Sequence, residues 1–71
     1  MQALNTIKPT LEMIAAVRAV RPQERVAAAR VAERTFLSRL AVLRQWGDFS
    51  EKEHLIIAGK AAAAEVSFRF A

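Results

Sequence analysis

The chain has no cysteine and no tyrosine, and among its 71 residues there are one histidine, one tryptophan, two glycines and two prolines. Each shortage removes something. Without cysteine there is neither a disulfide nor a thiolate metal site, and one histidine falls short of a dedicated zinc cage. No apolar run reaches the roughly 18 residues of a membrane span, because Lys60 interrupts the Leu55–Ala64 stretch and Arg18 and Arg21 close the earlier one. Met1 to Thr10 lacks the basic and apolar regions of a secretory signal. A cysteine-free chain read this way fits a reducing cytoplasm, which is the expected compartment. Gly-rich phosphate loops and a G-x-S-x-G elbow are missing as well.

What is present is apolar and basic. Hydrophobic residues make up 54% of the chain, and the mean hydropathy is +0.13, high for 7.9 kDa. Ordering each residue costs roughly 1.5 kcal/mol, on the order of 100 kcal/mol in all, and burial in so small a domain hardly offsets it. With disulfide and metal staples gone, a partner is the expected source of the remainder. The net charge of +4 and a pI near 10.8 suit nucleic acid or an acidic protein surface. Eight arginines stand against three lysines. Arginine favours bidentate and stacked contacts, so some of these side chains are expected to be structural.

The breakers sit where helix ends are wanted. Pro9 suits the first turn of a helix over about residues 9–20, and Pro22 forces a break at Arg21 and opens a second helix over about 22–46. Gly47 supplies the left-handed residue that ends it. Ser50 and Glu53 then form an S-x-x-E capping box for a third helix over about 51–70, with Glu51 favourably placed against the helix dipole. Val66 to Phe70 also alternate as a strand would, but a lone terminal strand has no edge to pair with. The predicted fold is therefore one all-α domain: a long antiparallel hairpin and a short N-terminal helix, completed as a bundle by dimerisation.

Both long helices carry two apolar stripes. On the second helix Val26, Ala29, Phe36, Leu37, Leu40 and Leu43 form the expected core face, and Ala27, Val31, Thr35, Ser38 and Val42 a weaker one. The third helix pairs Leu55, Gly59, Ala62, Val66 and Phe70 with a second row of Ile57, Ala61, Ala64 and Phe68. Single exposed alanines are ordinary. Ile57 and Phe68 together are not, because burying each is worth about 1.5–3 kcal/mol. Ile57, Gly59, Ala61, Ala64 and Phe68 are accordingly the expected self-association face, with Gly59 and Ala63 permitting close backbone approach. A compact hairpin could use the same small residues internally. Glu33 interrupts the main stripe, either as a structural ion pair with an arginine of another helix or subunit, or at a gap where it reaches water.

No catalytic constellation stands out. Glu51-x-x-His54 resembles the carboxylate–histidine pair of helical di-iron sites, which also need carboxylates from other helices and a second histidine. In the first turn of a helix, Glu51 instead serves the dipole and His54 can staple onto Phe49. Neither enzyme nor cofactor is expected. Nucleic acid is the second class: Arg25, Arg30, Arg34, Arg39 and Arg44 punctuate helix two, but they spread around its circumference. A helix-turn-helix would open its recognition helix on Glu51-Lys52-Glu53, and a ribbon-helix-helix would need residues 2–8 as a strand that does not alternate. A membrane-surface helix would need its arginines on one side. The expected activity is binding another protein, as a regulator or inhibitor. Trp46, Phe49, Phe68 and Phe70 are candidate anchors, and Arg30, Arg34 and Arg44 candidate steering charges. Trp46 has a second reading as the cap of the core at the end of its helix.

Overall fold

The structure, a computed structural model, describes residues 10–71. Within them lie three α-helices and no strand: α1 (Leu11–Ala19), α2 (Arg25–Trp46) and α3 (Glu51–Arg69). Pro9 and the segment 2–8 weighed as a ribbon lie outside the described residues. The first helix is capped by Thr10, whose Oγ1 accepts the Met13 N–H at 3.2 Å. That side chain satisfies one of the orphan donors of the first turn.

The break at Arg21 is present. Val20 and Arg21 are extended, as the residues preceding a proline should be. Pro22 does not open an α-helix directly, however. Pro22–Glu24 form a 3-10 turn, closed by the Glu24 N–H on the Arg21 carbonyl at 2.8 Å, and α2 starts at Arg25. A tighter first turn satisfies backbone groups that a full α-turn would leave open. Arg25 then reaches back. Its Nε donates to the Val20 carbonyl at 3.2 Å and its Nη2 to the Arg18 carbonyl at 3.1 Å. An arginine thus closes the carbonyl end of α1, where its charge also meets the negative pole of the dipole.

At the other end α2 stops on Gly47, left-handed at φ 70°. Both halves of the capping box are made. The Glu53 N–H donates to Ser50 Oγ at 3.2 Å, and the Ser50 N–H donates to Glu53 Oε1 at 3.1 Å. The helix continues to Arg69, with Phe70 as its C-cap, so residues 66–69 are helical rather than extended.

The core differs from the predicted stripe by a rotation of α2. Its buried row is Ala28, Ala32, Phe36, Leu40 and Leu43, whereas Val26 and Leu37 face outward and Ala29 is half-buried. On α3 the buried residues are His54, Ala58, Gly59, Ala62 and Val66, and Leu55 lies outside them. The physical reason is complementarity of size. In an antiparallel hairpin, Phe36, Leu40 and Leu43 run alongside the His54–Ala62 half of α3, and Ala28 and Ala32 alongside the Val66 half. Large side chains on one helix thus face small ones on the other. Met13, Val17 and Val20 of α1 close this core, and Ile57 and Phe70 pack on it from the side. Gly59 is where α1 begins its approach. A Cβ there would fall within 3.0 Å of the Thr10 Cβ, Cγ2 and Oγ1. Gly59 is buried inside the protomer and is no part of an outer face.

Candidate functional site

Two places on the hairpin gather chemistry-bearing side chains: the tip, where α2 turns into α3, and a groove further along.

At the tip, the residue before the cap meets the fourth residue of α3. The Phe49 and His54 rings lie edge to face, 6.1 Å between centroids. This is the staple expected from sequence. His54 is 95% buried by its 5% exposure, and neither ring nitrogen makes a hydrogen bond. Its Nδ1 lies 3.7 Å from Glu51 Oε2, an electrostatic approach beyond hydrogen-bond reach. Glu51 accepts from the Arg44 guanidinium, which ties the end of α2 to the start of α3. That bond holds the Glu51 carboxyl below the ordinary range. The Ser50 backbone N–H, and then its hydroxyl, lower Glu53 likewise. Glu51 and His54 therefore do come together. Among the described residues no third His, Cys, Asp or Glu joins them, and no hydroxyl engages the His54 ring as a nucleophile would.

Trp46 stands clear of the core at 61% exposure, so it does not cap it. Phe49 is exposed beside it in the turn, and Leu55 and Ile56 are exposed in the opening turns of α3. Arg44, expected as a steering charge, is instead engaged with Glu51.

The groove is a concavity of about 380 Å³ between α2 and the last turns of α3. Thr35, Ser38 and Val42, the weaker apolar stripe of helix two, line one wall together with Arg34 and Arg39. Their three- and four-residue spacing puts them on neighbouring ridges of one helix. Glu65 and Arg69 line the other side, joined by an i,i+4 ion pair in the favourable order. Three arginines and one glutamate border the groove. Arg34 was the one arginine of this set expected among the partner residues; Arg39 and Arg69 were not. Their periodicity within each helix signals nothing, because only the packing of α3 on α2 brings them to one place.

The other predicted residues scatter. Phe68 is 83% exposed, and Ala64 and Arg30 are exposed. Ile57 and Ala61 are half-buried, as is Phe70, which packs on the core. Glu33 is half-buried on α2 next to the Ala32 position of the core row. Among the described residues, no helix is long and apolar enough to cross a membrane. No protein-family model, curated protein or solved structure matches the chain.

Proposed function

We propose that this protein is a small non-enzymatic helical regulator that acts in the cytoplasm by binding a larger protein, itself paired as a homodimer. The observation that supports this reading is the pair of aromatic side chains left outside the fold, Trp46 at the hairpin tip and Phe68 near the end of α3. Val26 and Leu37, outward on α2, extend the uncovered apolar surface. Covering each such side chain is worth about 1.5–3 kcal/mol, and α1, nine residues long against 22 and 19 for its neighbours, leaves them open. Aromatic residues of this kind dominate interface energetics.

Light scattering at low micromolar concentration tests the pairing. A particle of twice the 7.9 kDa chain mass is expected. A monodisperse single chain with a sharp melting transition overturns it.

A second reading, a basic nucleic-acid-binding dimer, draws on the three arginines of the groove. Titration of random duplex DNA against salt separates the two. Micromolar or tighter binding that falls steeply with salt favours nucleic acid, and lack of retention favours protein.

A further inference from the structure

We propose that the groove between α2 and the end of α3 is a docking site for an acidic segment of a partner protein, with Arg34 and Arg39 taking its carboxylates. This inference rests on the protein-binding reading and names the chemistry of the partner.

Charge is the first argument. Arg69 is already paired with Glu65, whereas Arg34 and Arg39 make no ion pair with any described residue. The groove therefore holds two uncompensated guanidinium groups at one concavity. A guanidinium presents its donors as a planar fork that matches a carboxylate bidentately. The chain's net charge of +4 draws an acidic partner toward it from a distance.

The lining is the second. Between the arginines lie the hydroxyls of Thr35 and Ser38 and the methyl groups of Val42. Such a mixed floor takes protein side chains, with an apolar group on Val42 and acidic groups at the rim. A polynucleotide has other requirements. Its phosphates need a basic track many residues long, and the groove's charge does not continue to the tip, where Arg44 is engaged with Glu51. Toward the tip, the unpaired basic surface ends at the groove.

The test uses the full chain and fluorescence anisotropy with three labelled probes: a short leucine-bearing peptide rich in glutamate, its counterpart with glutamine in every glutamate position, and a short random DNA duplex. The glutamate peptide should bind about tenfold tighter than the glutamine peptide, a difference of about 1.4 kcal/mol, and the gap should close as salt rises. Arg34→Ala and Arg39→Ala should each weaken it about tenfold. Lys60→Ala, exposed on α3 and outside the groove lining, should leave binding within about twofold of the unaltered chain. Equal binding of the two peptides, or indifference to Arg34→Ala and Arg39→Ala, overturns the groove's role and leaves the protein-binding reading standing. Duplex bound more tightly than either peptide overturns both. Dimerisation lost in Arg39→Ala together with no peptide binding also overturns the proposal, because a second copy then fills the groove. The comparison of the two peptides on the unaltered chain does not depend on whether any variant folds.

Discussion

Thr10 rests its side chain on Gly59, so the residue that starts α1 is also the residue that touches α3 where α3 has no side chain. The cap and the helix crossing are one contact. A methyl group at position 59 has no room, although alanine within a helix is intrinsically better than glycine by about 1 kcal/mol. Gly59→Ala should therefore lower stability by about 1 kcal/mol net in urea denaturation. In a Thr10→Gly background the same change should become stabilising. Additive effects of the two substitutions would show that the contact does not govern the site.

Arg25 joins the two ends of the break at Pro22 through the Val20 and Arg18 carbonyls. Hydrogen bonds from a charged donor are worth about 1.5–3 kcal/mol, less here because one of the two is exposed. Arg25→Ala should cost about 1–2 kcal/mol and speed amide exchange in α1 more than in the hairpin. Uniform acceleration throughout the chain would contradict this.

His54 is buried with neither ring nitrogen hydrogen-bonded. A polar group left so costs about 1–3 kcal/mol. His54→Leu should fold and raise the denaturation midpoint, with no change in the affinity for added zinc relative to the unaltered chain. Loss of stability on this substitution would mean that the imidazole has a polar role in the fold.

Glu51 and Glu53 have carboxyls lowered from the ordinary value of 4.5 in the folded chain. A lowered folded value means that the unfolded chain binds protons first as pH drops. The stability these groups supply is complete well above pH 4.5 and is lost as pH falls through their folded values. Denaturation midpoints should thus decline below about pH 4.5. Glu51→Gln and Glu53→Gln should each flatten that decline; an unaltered slope in both would show that other carboxyls cause it.

Phe68 projects into solvent. Phe68→Ser should change the stability of the isolated chain by less than about 0.5 kcal/mol yet weaken self-association, as read by the concentration dependence of light scattering. A large fall in stability at high dilution would place Phe68 in the fold itself.

Helix ends were readable wherever their chemistry is local. Gly47, Ser50 and Glu53 act on backbone groups within a few residues, and Pro22 acts on Arg21, so the hairpin and its turn follow from adjacent letters. The Thr10 cap was hidden because its helix start has Met13 where a capping box would carry an acid. Rotation of the helices was less accessible. Hydropathy ranks Val26 and Leu37 above Ala28 and Ala32, but the fold buries the alanines completely and leaves the larger pair outside. The groove was least accessible of all. Thr35, Ser38 and Val42 read as one stripe of α2, and nothing along the chain shows that Glu65 and Arg69 will stand across from them.

Among the described residues, four of the eleven buried apolar ones, Ala28, Ala32, Ala58 and Ala62, have no rotamers to freeze. The interior is consequently assembled at almost no loss of side-chain freedom over a third of its positions, which suits a polypeptide too short to bury much. That economy has a structural corollary. Any bulkier group at Ala58 or Ala62 would wedge the two long helices apart, and the arginine-lined channel along their seam would widen with them.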